Sequence, residues 1–133
     1  MDRIALLNGL TLAYIGDSYY ELKIREYLIE SGYTKVNELH KLAIKYVRAA
    51  SQARLIDELL AQNYLTDVEK EMVKRGRNAK INHTRQNVDI LTYKHSTSFE
   101  TLIGYLYLSG QNQRLDEIVR LSIKIIESWK LNE

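Results

Sequence analysis

Two helix-forming apolar segments of this chain each carry an acid beside a glycine. The first runs Leu12-Ala13-Tyr14-Ile15-Gly16-Asp17-Ser18-Tyr19-Tyr20-Glu21, and the second Ser98-Phe99-Glu100-Thr101-Leu102-Ile103-Gly104-Tyr105-Leu106. A glycine inside a helix costs about 1 kcal/mol against alanine, so it marks a place where another backbone comes close. An acid among apolar residues is costly unless it is paired or holds a metal. Together the two segments predict helices that cross tightly, with Asp17 and Glu100 at the crossing, where a carboxylate pair could bind a hard cation.

The rest of the chain reads as helix. There is no proline among the 133 residues to interrupt one. The first long helix is expected from about Leu10 to Glu30, with Asn8 as its cap and Gly32 just past its end. Its apolar residues cover nearly the whole circumference, which predicts a central, buried helix. A second helix starts near Asn37 and a third covers about Ala49 to Gln62. A fourth opens on the capping box Thr66-Asp67-Val68-Glu69 and ends at Gly76. Residues 77–95 read as a polar, basic loop, long enough to have a function. A fifth helix runs from about Thr97 to Leu108, and a sixth follows Asn112. The expectation is an all-α fold of about six helices, with residues 1–133 as one domain.

Composition excludes several classes. Without cysteine there are no disulfides or thiolate metal sites, and a reducing cytoplasm is compatible. No apolar run approaches the roughly 18 residues of a membrane span, and the N-terminus lacks a signal-peptide core. Ten of the twelve aromatic residues are tyrosine, which suits half-wet surfaces and interfaces. The net charge of +2 is unevenly spread. Residues 74–95 hold six bases (Lys74, Arg75, Arg77, Lys80, Arg85 and Lys94) against Asp89 alone, a local +5; the remainder has thirteen bases and sixteen acids, or −3. A basic segment on a mildly acidic body points to a polyanion, although a solvated loop with chance charge accounts for it equally well.

Each candidate residue also has a structural explanation. Thr97-Ser98-Phe99-Glu100 matches a capping box, so Glu100 could bond the backbone at a helix start. Glu21 and Arg25 are spaced as a helical ion pair. His40, His83 and His95 show no metal-ligand spacing. The residues alone give a helical domain, a two-carboxylate site and a basic loop, without selecting a reaction.

The same segments resemble a known family. Tyr14-Ile15-Gly16-Asp17-Ser18 is similar to the signature helix of ribonuclease III, and Phe99 to Gly104 to its second catalytic segment. Leu7-Asn8-Gly9-Leu10, Leu39-His40-Lys41, Lys74 to Lys80, and Thr92-Tyr93 through Leu108 resemble the short bacterial branch, Mini-ribonuclease III, which lacks a double-stranded-RNA-binding domain. The resemblance implies an all-helical endonuclease that works as a two-fold homodimer and cuts double-stranded RNA with magnesium. It also implies a role in maturation of the large-subunit ribosomal RNA precursor in the cytoplasm, with a ribosomal protein as an accessory partner. Asp17 and Glu100 fall on catalytic, metal-binding acids. Two further acids of full-length ribonuclease III are replaced here by Leu10 and Ala13, and an aspartate by Thr97. These departures look typical of the short branch and leave the number of metals open. RNA contacts are expected from Arg77, Asn78, Lys80, Arg85 and Lys94. The alternative is a non-catalytic module of the same fold that binds double-stranded RNA in ribosome assembly.

Overall fold

The computed structural model describes residues 2–80 and 89–129, all helix and connecting turns. In chain order the helices are α1 (Asp2–Ala5), α2 (Gly9–Glu30), α3 (Val36–Val47), α4 (Ala49–Ala61), α5 (Asp67–Arg77), α6 (Ile90–Leu108) and α7 (Asn112–Ser128). The single-turn α1 was not expected from the sequence.

Short polar residues set the boundaries. Asn8 Oδ1 accepts from the Thr11 N–H at 2.8 Å and starts α2. Gly32, at φ +107°, turns the chain just beyond its end. The Thr66–Glu69 capping box forms in full, with bonds of 3.2 and 2.9 Å. Gly110, at φ +73°, separates α6 from α7.

Two expectations are corrected. The helix that carries Glu100 begins at Ile90, capped by Asp89, whose carboxylate accepts from the Thr92 N–H at 2.9 Å. Thr97-Ser98-Phe99-Glu100 therefore lies in mid-helix, and the capping explanation of Glu100 falls. The second correction concerns the centre of the fold, which is α6 rather than α2. Between Ser96 and Leu106 every α6 residue except Glu100 is buried, and α6 packs against α2, α4 and α5. By contrast α2 buries one face (Leu12, Ala13, Gly16, Tyr20, Ile24, Leu28) and leaves Leu10, Tyr14, Leu22 and Ile29 exposed.

Hydroxyl chemistry explains why the start of α6 looks polar yet runs into the core. Ser98 Oγ donates to the His95 carbonyl at 2.6 Å and so satisfies itself on its own helix, while the single Thr101 hydroxyl proton is shared between the Thr97 carbonyl at 2.8 Å and the Gly9 carbonyl at 2.9 Å. Ser96 Oγ donates to Gln52 Oε1 of α4 at 2.7 Å. The larger side chains then supply the burial energy. Phe99, Leu102, Ile103 and Leu106 of α6 meet Leu12, Tyr20 and Ile24 of α2 and Leu55, Ile56 and Leu59 of α4, each worth roughly 1.5–3 kcal/mol on transfer from water.

The start of α5 is pinned separately. Arg114 of α7 grips Glu69 with two bonds of 2.8 Å, donates to the Tyr64 carbonyl at 3.0 Å, and stacks 4.4 Å from the Tyr64 ring centre. Several tyrosines also serve the interior. Tyr20 is fully buried and donates to the Tyr46 carbonyl at 3.1 Å, while Tyr27 and Tyr46 share one oxygen of Glu127 at 2.5 and 2.7 Å.

Candidate active site

The site is built on a helix crossing that only glycine permits. A Cβ added at Gly16 of α2 would collide with the Glu100 carbonyl oxygen and lie 2.7 Å from the Gly104 nitrogen. One added at Gly104 of α6 would collide with the Leu12 carbonyl oxygen, 2.7 Å from its carbon. The backbones of α2 and α6 are thus in direct contact over Leu12–Gly16 and Glu100–Gly104, as the two glycines predict. Asp17, next to Gly16, and Glu100, whose own carbonyl abuts Gly16, both stand at this crossing. Each is partly exposed, while Leu12, Phe99 and Leu102 around them are fully buried. The site is therefore a polar spot at the rim of an apolar contact.

Among the described residues no group of three or more histidine, cysteine or acidic residues is placed to hold a metal. Two carboxylates still fit a hard cation such as magnesium, which takes oxygen ligands and usually keeps several waters. The neighbouring residues add no acid. Leu10 is exposed, Ala13 is buried, and Thr97 is buried with its carbonyl taken by Thr101. Glu21 pairs with Arg25 at 3.5 Å, as its spacing predicts.

The basic residues divide. Arg77 ends α5 and is partly exposed, Asn78 caps it, and Lys80 follows, both exposed. Asn78 and Lys80 line an open groove of about 700 Å³ together with Asn8, Leu10 and Tyr14 from the start of α2. Lys94 stands on α6 rather than in a loop, because that helix starts seven residues earlier than the sequence indicates. Arg85 and His83 lie outside the described residues. His40 is exposed on α3, and His95 Nδ1 lies 2.9 Å from Asp57 Oδ1 of α4.

A second close approach escaped the sequence reading. Gly76 is buried within α5 and does not merely end it. A Cβ there would lie 2.8 Å from the Ser98 Cα and the Thr101 Cβ, and one at Gly9 would lie 2.8 Å from the Arg75 carbonyl oxygen. Thr101 Oγ1 is 2.9 Å from the Gly9 carbonyl. Arg75 Nη1 donates to the Leu7 carbonyl at 3.0 Å and to the Ala5 carbonyl. Sequence counts Arg75 among the free bases; the tertiary structure spends it on the backbone ahead of α2. The available signal was the pair Gly9 and Gly76, two glycines outside any turn.

Comparison with known proteins bears on this arrangement. Residues 10–111 match the Ribonuclease III domain family. A Mini-ribonuclease 3 of Enterococcus faecalis is 50% identical over 118 residues, 89% of this chain and 89% of that protein. A Mini-ribonuclease 3 of Symbiobacterium thermophilum is 47% identical over 91% of this chain and 92% of its own length. A crystal structure of a Fusobacterium nucleatum protein superimposes with a TM-score of 0.78 at 31% identity, covering 88% of this chain and 93% of that one.

Proposed function

The chain belongs to the ribonuclease III family, and from that premise we propose that it is an endoribonuclease that cleaves double-stranded RNA with magnesium, with Asp17 and Glu100 as the metal-binding, catalytic pair. Residues 1–133 act as one catalytic domain, in the cytoplasm, on the large-subunit ribosomal RNA precursor. The observation that supports the reading is the glycine-lined crossing of α2 and α6, next to which stand two partly exposed acids 83 positions apart in sequence.

The chemistry asks little more of the protein. Magnesium held by Asp17 and Glu100 would supply a water of lowered pKa and neutralise charge on the phosphate. The carboxylates hold and orient; no side chain is needed as nucleophile, so the engagement of His95 with Asp57 costs nothing. Asn78 and Lys80 at the groove, with Arg77 at the end of α5, Lys94 on α6 and Arg85, bind phosphates and 2′-hydroxyls, the features through which duplex RNA is held. The protein works as a homodimer, which sets two sites against opposite strands of one duplex. A ribosomal protein fits as an accessory partner that delivers the precursor.

The test is incubation with a long RNA duplex with and without magnesium, alongside Asp17→Asn and Glu100→Gln. The wild-type chain should cut only with the metal. Each amide variant should be inactive, with an unchanged melting temperature, because each replaces a hard anionic ligand by a near-isostere. Tight binding of duplex without cleavage under any divalent metal would instead favour a non-catalytic RNA-binding module.

A further inference from the structure

The Gly9–Gly76–Thr101 junction joins the two halves of the proposed site. On one side, Thr101 follows Glu100 directly in α6, and the Glu100 carbonyl rests on Gly16 beside Asp17. On the other, Arg75 itself lines the groove with Asn78 and Lys80, and Arg77 stands between them in sequence at the end of α5. Between the halves lie Thr101 Oγ1 on the Gly9 carbonyl and the Arg75 guanidinium on the Ala5 and Leu7 carbonyls. Arg75 is only partly exposed, and its Nη1 is already spent on two backbone acceptors.

We propose that Arg75 is a positioning residue for RNA cleavage: by clamping the backbone ahead of α2 onto the end of α5, it fixes the spacing between the phosphate-binding residues and the acid pair. It is not itself a phosphate ligand. The inference rests on the endoribonuclease reading and adds to it a residue that acts at a distance from the RNA. Geometry supports the assignment over a bland surface charge. The planar guanidinium serves two carbonyls that belong to the segment leading into Asn8, the cap of α2. Without that clamp the start of α2 can shift relative to α5. Displacement of the reacting groups by about 1 Å is enough to cost about a hundredfold in rate.

The experiment compares wild-type protein, Arg75→Lys, Arg75→Met and the double variant Arg77→Ala/Lys80→Ala on one end-labelled duplex. Three quantities are read well below each protein's melting temperature: affinity at several salt concentrations in calcium, single-turnover rate at saturating enzyme in magnesium, and the positions of the cut ends. Both bonds leave Nη1, one atom beyond the reach of a lysine Nζ, so lysine keeps the charge but not the clamp. Arg75→Lys should therefore retain affinity within about twofold and the wild-type salt slope, while its single-turnover rate falls roughly tenfold or more and its cuts spread to neighbouring phosphates. Arg75→Met should behave in the same way. The Arg77/Lys80 double variant should show the opposite pattern, a salt slope flatter by about one unit for each phosphate no longer neutralised, with cuts in the original place. A flattened slope in Arg75→Met, restored in Arg75→Lys, would make Arg75 a phosphate ligand and overturn the proposal. Wild-type rate and cut positions in Arg75→Lys and Arg75→Met would overturn it too, whatever their melting temperatures, since a purely structural role moves only those. A wild-type chain inert on duplex RNA defeats the endoribonuclease reading itself, and the proposal with it; the variants decide the proposal only once wild type cuts.

Discussion

Gly104 has no room for a methyl group, and the obstruction is backbone rather than a side chain that could swing away. Gly104→Ala gains about 1 kcal/mol of helix propensity, but overpacking a tight contact costs about 1–3 kcal/mol and more where the neighbour is rigid. Here the neighbour is the Leu12 carbonyl within α2, so the steric cost wins and the helices must separate. The expected result is a lower melting temperature and a fall in cleavage rate larger than stability alone explains, since separation carries Asp17 away from Glu100. Thermal unfolding and single-turnover cleavage at a temperature where the variant is fully folded check both parts. A variant with normal rate would remove the crossing from the argument for the site. Gly32 and Gly110 differ in kind, since each holds a positive φ with open space around it.

At the scale of elements, α5 is held at both ends, by Glu69 at its start and by Arg75 and Gly76 at its finish. Burial alone would raise the Glu69 pKa, but hydrogen bonds from Arg114 and Thr66, with the Arg114 charge, outweigh it and hold the carboxyl below its usual value. Because the folded pKa lies below the unfolded one, the stabilisation is fully present above the unfolded value of about 4.3 and is lost as pH falls through the folded value. Arg114→Met leaves the buried carboxylate without its partner, and breaking such a pair costs about 3 kcal/mol. Urea unfolding at pH 7 should show that loss. The gap between variant and wild type should narrow at pH 3.5, where protonation relieves the orphaned charge of the variant. An equal gap at both pH values would mean that Arg114 contributes through its packing on Tyr64 instead.

For the whole molecule, α2 exposes more apolar surface than one chain covers. Tyr14 is 82% exposed, Leu22 52% and Leu10 41%, and Tyr19 stacks 5.0 Å from Tyr107 on α6, itself 42% exposed. Exposed apolar side chains on one helix are the kind of surface a second copy of the chain would cover in the proposed homodimer. The protein should therefore sediment as a dimer at micromolar concentration, and Leu22→Arg, outside the groove, should shift it to monomer with loss of cleavage. A wild-type monomer with full activity would contradict this. Among the described residues no helix is long and apolar enough to cross a membrane.

The amino-acid pattern by itself determined the all-helical fold, most helix ends and the α2–α6 crossing. Caps and turns are local, and a helix-interior glycine reports a close approach wherever its partner lies. Asn8, Thr66–Glu69 and Gly32 were legible for the first reason, Gly16 and Gly104 for the second. The pattern misplaced the start of α6 because serine and threonine can hide their hydroxyls on their own helix, so the polar stretch from Thr92 to Ser96 looks like loop until the helix packs against α4 and α5. It also overstated the burial of α2, since an apolar circumference does not say which side meets a neighbour in the same chain. The use of Arg75 was beyond its reach altogether. Whether a base meets solvent, RNA or a carbonyl 70 residues away depends on which backbones the folded chain brings within 3 Å, and in this protein two glycines and a threonine, scattered over 92 positions, decide that only once they pack.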